Sequence, residues 1–417
     1  MLRRMSFLVT VALIAVMLAP GAPSVTAQGK PQGELKIGLV LPFTGPVALL
    51  GDEGFAGVDI AREIINERGG VLGKNVVFVK ADAPDPASGV NEVERLINRE
   101  KLTVIIGSYA SGISLATTQA AEKNGVFYWE SWAAADQVTE RGFKYTFRVT
   151  PKVSFFGFSA ADYAARFIAP ALKQPPKDLR VAIVYEDSSF GTGGANGAEK
   201  RAKEAGFTVV LKESYRQTTA DLSPLIIKLK NARPDIVIAS GYVNDATLMR
   251  KQAKELGLYV KAWIGLGAGY GLPDFAKAVG DDVNGLFNTE SPGAINVDGL
   301  PPETAALYRD FRARFMARKQ REPTTNSNVG FIGAWTLLHE VIPRAGRLDP
   351  DKLREAALKL DLPDNSLING WGMKFSEEGT NIRARTTMMQ WQNGRLVTVF
   401  PENLATGKPT LVPLPQR

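Results

Sequence analysis

The chain contains no cysteine and a single histidine, His339. Without thiols there is no disulfide framework, no thiolate metal site and no sulfur nucleophile. With one imidazole, neither a Ser/His triad nor a Cys/His pair is easily assembled. His339 falls inside the apolar-periodic segment Phe331–Ile342, where a partly buried helix histidine is expected. A Walker loop, a Gly-x-Gly-x-x-Gly after a strand and a His-Glu-x-x-His are missing as well. The run Gly265-Leu-Gly-Ala-Gly-Tyr-Gly271 places glycine at every second position and reads as a flexible cleft loop. The acids of Asp82-Ala-Pro-Asp85 have the composition of a turn. No cofactor and no metal are expected, and nothing singles out a pair of acids for glycoside chemistry. The inventory argues against an enzyme.

Long apolar runs are also scarce. The one near the start, Phe7–Leu18, follows Arg3 and Arg4 and precedes Pro20, Gly21 and the small-residue site Val25-Thr-Ala27. It is shorter than the roughly 20 residues that span a bilayer, and its flanks are those of a cleaved secretory signal, residues 1–27. Lacking a cysteine for lipid attachment, the exported chain is expected in a Gram-negative periplasm without an anchor. The formal charge of +7 becomes +5 on processing, because residues 1–27 carry Arg3 and Arg4 and no acid. Basic residues are dispersed except in Arg309–Arg321, where Tyr308, Phe311 and Phe315 are spaced for an amphipathic helix with a solvated basic face. No nucleic-acid reading motif accompanies it.

From Leu35 to Trp263 short apolar runs alternate with segments of helical period. Strands are predicted at 35–41, 75–80, 103–106, 126–128, 180–185, 208–212, 236–239 and 262–264. Helices are predicted at 54–66, 88–99, 113–124, 155–167, 193–205, 221–231 and 246–256. This rhythm implies an α/β fold with parallel sheets covered on both faces. It breaks near Thr150-Pro151, restarts after Gln174-Pro-Pro-Lys177, and breaks again at 290–302. Two sheets joined by more than one crossover make a hinged pair of lobes with a cleft.

The segment Thr103–Arg148 is the most informative. A strand runs into the turn Gly107-Ser-Tyr-Ala-Ser-Gly112, and a helix opens directly after it. Unpaired N–H groups and a helix dipole then converge on one point, where a carboxylate or phosphate can sit. A second strand ends in the loop Trp129-Glu-Ser-Trp-Ala-Ala-Ala-Asp136, and loops after parallel strands flank one crevice. The alternative is that Ser111 and Ser114 only cap a helix.

These residues bear a family resemblance. Lys36-Ile-Gly-Leu-Val-Leu-Pro-Phe-Thr-Gly-Pro46, Gly51-Asp-Glu-Gly-Phe-Ala-Gly57, Asn66-Glu-Arg-Gly-Gly70, Asp82-Ala-Pro-Asp-Pro86, Thr139-Glu-Arg-Gly-Phe143 and Asp187-Ser-Ser-Phe-Gly191 occur in the order and spacing of one group. The chain resembles the periplasmic type I binding proteins of the leucine/isoleucine/valine kind, which serve ABC importers. The resemblance implies two Rossmann-like lobes closing like a flytrap, with residues 28–152 and 290–376 in lobe I and 153–289 and 377–417 in lobe II. It implies that Ala110, Ser111 and Gly112 hold a ligand carboxylate together with the Trp132–Ala134 loop. It puts Phe190 and Tyr242 over the ligand from the second lobe and Leu50 against it from the first. The implied partners are a small-molecule ligand and a permease with its ATPases, and the protein is expected to be a monomer.

Two positions depart from that pattern. Ala134 stands where a threonine hydroxyl usually helps, and Leu266-Gly267 stands where an acid usually meets the ligand ammonium. An unpaired buried ammonium costs several kcal/mol. Either Glu130 or Asp245 substitutes, or the ligand lacks an α-ammonium and is an aromatic or other organic acid or amide. Tyr128, Trp129, Trp132, Phe155 and Phe156 suit such a flat body. A ligand sensor and an enzyme on the same scaffold remain as other classes.

Overall fold

The computed structural model describes residues 31–415, so the expected signal segment lies outside the described residues. The first sheet is built from β1 (Glu34–Leu41), β2 (Asn75–Asp82), β3 (Val104–Gly107), β4 (Phe127–Glu130) and β5 (Thr146–Arg148). Its order is β2-β1-β3-β4-β5 and every neighbour is parallel. The second sheet comprises β6 (Arg180–Glu186), β7 (Thr208–Tyr215), β8 (Ile236–Ser240), β9 (Ala262–Leu266), β10 (Phe287–Glu290), β11 (Thr387–Gln392) and β12 (Arg395–Phe400). Its order is β12-β11-β10-β9-β8-β6-β7, parallel from β7 to β10 and antiparallel at β11 and β12.

Strands covered on both faces are continuous apolar runs. Leu39-Val-Leu41 of β1 and Val181-Ala-Ile-Val184 of β6 are fully buried. The covering helices are α1 (Ala48–Glu67), α2 (Pro86–Asn98), α3 (Ser111–Lys123), α4 (Val153–Tyr163), α5 (Ser189–Glu204), α6 (Ser223–Ala232), α7 (Val243–Glu255) and α8 (Pro273–Val279). The expected turn after β2 is there: Asp82 accepts from the Phe43 amide at 2.8 Å, and Asp85 caps α2 through Ser88 N–H at 2.9 Å. The chain passes between the sheets after β5, after β10 and before β11. The second passage leads to α9 (Pro302–Lys319), α10 (Thr325–Thr336) and α11 (Pro350–Leu358), and α9 and α10 return to pack on α1. The result is a two-lobed α/β fold.

Three expectations need correction. The basic face of α9 is not simply solvated, because α1 presents acids at helical spacing. Arg314 forks onto Glu67 with two bonds of 2.7 Å, Arg318 reaches Asp59 at 3.2 Å and also Glu63, and Lys319 pairs with Asp52. His339 is exposed rather than partly buried: a π-helical turn at Leu337–Val341 shifts the apolar stripe and turns it outward, with its side chain 47% exposed. It stacks on Trp335 at 4.7 Å. The glycine run is a packed loop, buried throughout from Gly265 to Gly271. A Cβ at Gly271 would come within 2.5 Å of a Glu290 oxygen, and one at Gly269 within 2.2 Å of the Tyr242 backbone.

Candidate functional site

The carboxyl ends of both parallel sheets face one another across a small cavity of about 30 Å³. That is room for a water molecule or two, so a ligand of amino-acid size enters only when the walls separate. Each wall residue is delivered by a strand end or a helix start. From the first sheet come Tyr109 and Ser111 after β3, Trp132 and Ala134 after β4, and Thr150 after β5. From the second come Phe190 after β6, Tyr242 after β8, Ala268 after β9, and Glu290 with Ser291 at the end of β10. Phe156 of α4 and Thr325, Asn326 and Val329 of α10 complete it.

Neither serine of the first turn acts as a helix cap. The N-cap of α3 is Ala110, with no side-chain capping bond. Ser114 Oγ instead donates to Glu130 at 2.6 Å, and Ser111 Oγ accepts from the Ala135 amide at 3.1 Å. The Ser111 hydroxyl therefore keeps its own proton to donate. Ala110 and Gly112 position Ser111 without lining the cavity themselves.

Glu130 belongs to the frame. Its carboxylate accepts from Ser108 N at 2.5 Å and from Trp132 N and Ala133 N at 2.9 Å each, in addition to Ser114 Oγ. It thereby pins the β3 turn to the β4 loop. Burial pushes its carboxyl up to about 8 against the pull of these donors. With both oxygens already serving donors of its own lobe, it has no capacity for a ligand ammonium. Asp245 also points elsewhere: it accepts from Tyr215 Oη at 2.7 Å, is pushed up by burial to about 7, and lies off the cavity. Leu50 is fully buried in the first-lobe core near the start of α1 and does not reach the cavity.

Of the ten expected site residues, Ser111, Trp132, Ala134, Phe190 and Tyr242 meet at one place. Trp132 is fixed by its Nε1–H bond to the Asn326 carbonyl at 3.0 Å and lies 6.5 Å from Tyr109, ring to ring. Opposite, Phe156 and Phe190 meet edge to face at 6.4 Å, and Phe190 lies 5.9 Å from Tyr242. Tyr242 from the second lobe and Ser111 from the first thus line the same small cavity from opposite sides.

Glu290 was not foreseen. It is 5% exposed and accepts from Asn288 Nδ2 at 3.2 Å. The Asn288 side chain is oriented by its Oδ1, which accepts from Gly267 N at 3.0 Å. Burial pushes the Glu290 carboxyl up to about 8. Glu290 thus lines the cavity from the strand that pairs with the one ending at Leu266. A larger depression of about 740 Å³ lies at the opposite, amino ends of β8–β10, where Lys261 pairs with Asp235 at 2.8 Å. None of the cradle residues reaches it. Among the described residues no cluster of His, Asp or Glu could hold a metal ion.

Comparison with known proteins accords with this geometry. The sequence model for periplasmic binding protein matches residues 34–395. The chain is similar to Leu/Ile/Val-binding protein homolog 8 of Brucella suis biovar 1 (strain 1330), 37% identical over 93% of this chain and 95% of that protein. Its structure is similar to that of a leucine binding protein from Thermotoga maritima MSB8, with TM-score 0.77 and 25% identity over 89% of this chain and 98% of that one. It is also similar in fold to an ABC-transporter solute binding protein from R. palustris in complex with benzoate, with TM-score 0.75 and 20% identity over 88% and 95% of the two chains. Sequence, fold and strand-end cavity agree that the chain belongs to the periplasmic binding protein family, on the leucine/isoleucine/valine-binding branch.

Proposed function

We propose that this chain is the extracytoplasmic solute-binding subunit of an ABC importer, capturing a small carboxylate between its lobes and presenting it to a permease. The observation that carries this reading is the meeting of groups from both sheets at one cavity, Ser111, Trp132 and Ala134 from the first and Phe190 and Tyr242 from the second. Ligand contacts with both lobes exist only in the closed form, so binding favours closure. The lobes in this proposal are residues 28–152 with 290–376 and residues 153–289 with 377–417. The protein acts as a monomer in the periplasm, needs no cofactor and performs no covalent chemistry.

The ligand carboxylate docks on the Ser111 amide and hydroxyl and on the amide of Ala134. Charge-assisted bonds of this kind contribute about 1.5–3 kcal/mol each, so two or three of them suit a micromolar affinity of about −8 kcal/mol. Glu290 lies in the same cavity and can receive an α-ammonium, which favours an amino acid. The names of the Brucella and Thermotoga relatives point the same way. A second reading, an aromatic acid, is favoured by the rings of Trp132, Phe156, Phe190 and Tyr242 lining the cavity and by the benzoate complex of the R. palustris protein.

A thermal-shift screen of amino acids, amides and aromatic acids on refolded, ligand-stripped protein tests the proposal. A ligand at a hundred times its Kd adds about 2.7 kcal/mol of stability. Failure of all three classes at millimolar concentration, or conversion of a bound compound seen by mass spectrometry, would sink it.

A further inference from the structure

The cavity has a second polar pole, distinct from the carboxylate cradle. Thr325 and Asn326 open the twelve-residue helix α10 at its edge. Thr325 is 4% exposed, and its Oγ1 is buried without a hydrogen-bond partner. A hydroxyl so placed has lost its water bonds and gained none, and it sits at the positive end of a helix dipole. Gly293 packs closely on this oxygen, and a Cβ there would come within 2.8 Å of it. Beside it, Asn326 Oδ1 accepts from Tyr109 Oη at 2.6 Å, which orients the amide and leaves its NH₂ group as the free end. Thr150 and Ser291 add a hydroxyl pair 3.2 Å apart to the same cavity. A purely aliphatic or unsubstituted aromatic side group would leave the Thr325 hydroxyl unpaired in the closed form.

We propose that the ligand is a small carboxylate whose far end carries an oxygen acceptor, received by the Thr325 hydroxyl and Asn326 at the start of α10. This rests on the reading of Ser111 as the carboxylate cradle. A carboxamide, a hydroxyl and a second carboxylate share the required chemistry.

The test measures affinities for pairs differing at the far end, leucine against glutamine and glutamate, and benzoate against 4-hydroxybenzoate and 4-carbamoylbenzoate. Wild-type protein, Ser111→Ala, Thr325→Val and Thr325→Ser are compared by titration calorimetry. In at least one pair the wild type is expected to prefer the polar-ended member tenfold or more. Thr325→Val should lower that preference at least fivefold, Thr325→Ser should restore it, and the ligand-free melting temperature of Thr325→Val should stay level or rise. Equal or better binding of the plain member in every pair overturns the proposal. So does a Thr325→Val variant that keeps the full preference, or that loses both members equally together with its fold. Ser111→Ala judges the underlying reading separately: it should weaken both members of a pair, and if it does not, the cradle fails whatever Thr325 does.

Discussion

Replacing Glu290 by glutamine separates the two ligand classes by whether binding weakens. The carboxyl lies in the cavity wall with Asn288 Nδ2 as its one hydrogen-bond donor among the described residues. Glutamine keeps the shape, so the change is essentially one of charge. If the ligand carries an α-ammonium, the variant loses one charge-assisted bond of about 1.5–3 kcal/mol, which weakens binding roughly 10- to 150-fold. If the ligand is an acid without an ammonium, glutamine stands in for the protonated carboxyl and affinity is unchanged. Proton counting gives an independent check. Burial holds the free protein's Glu290 at about 8, so at pH 6.5 the group carries a proton, and an arriving ammonium drives that proton off. Titration calorimetry in phosphate and in Tris should then report release of close to one proton, absent in Glu290→Gln. Stability follows the same linkage. Between the ordinary carboxyl value of 4.5 and about 8 the folded state holds the extra proton, so stability falls as pH rises through that window. Glu130, also near 8, and Asp245, near 7, add slopes of the same sign. The ligand-free melting temperature should drop between pH 6 and 9, less steeply in Glu290→Gln. An amino-acid affinity within twofold of wild type in that variant, with proton release intact, would refute the placement of an ammonium at Glu290.

Three further outcomes are expected. Ser111→Ala should weaken binding about tenfold while leaving the melting curve nearly unchanged, because its hydroxyl makes only one internal bond, to the Ala135 amide; calorimetry with the identified ligand decides it. Tyr242→Ala should chiefly accelerate release, since the ring closes the second-lobe wall beside Phe190; stopped-flow dissociation at wild-type speed would reduce Tyr242 to packing. Arg314→Ala should lower stability by about 1 kcal/mol in low salt and by less at high ionic strength, because the bidentate pair with Glu67 is partly exposed. A denaturation midpoint unmoved at low salt would show that the α1–α9 ion pairs contribute nothing measurable.

Most of the fold was legible because its signal is local. Every strand from β1 to β4 and from β6 to β9 is an apolar run in the sequence, and Pro86, Asp85 and the glycine turns punctuate the helices around them. β5 was missed because three residues carry too short a pattern, and β10 because Phe287-Asn-Thr-Glu290 looks polar although all four residues are buried. β10 is an interior strand, held by β9 on one side and β11 on the other, and that pairing overrides its composition. The same kind of non-local information explains the other errors. The acids of α1 neutralise the basic face of α9 across about 250 residues of chain, and a π turn decides which way His339 faces.

The missed acid leaves a trace in the sequence that only the folded chain makes readable. Three strands end in glutamate with a serine close behind: Glu130-Ser131, Glu186-Asp-Ser188 and Glu290-Ser291. At the first two, the carboxylate braces the loop of its own lobe. Glu130 takes four close donors, and Glu186 takes Ser188 N at 2.7 Å and Ser188 Oγ at 2.8 Å. Such an acid is spent on structure: truncating it unties a turn, and no ligand can compete for it. At the third the brace is incomplete. No helix follows β10 directly, because the chain leaves for the first lobe, and Glu290 faces the cavity with a single donor, Asn288 Nδ2. A buried carboxyl short of donors is held near neutral charge until a cation or a proton donor arrives. Identical residue patterns thus give a frame in two places and a receptive group in the third. The crossover between lobes makes the difference, and the same crossover carries Gly293, where a side chain would collide with the Thr325 hydroxyl.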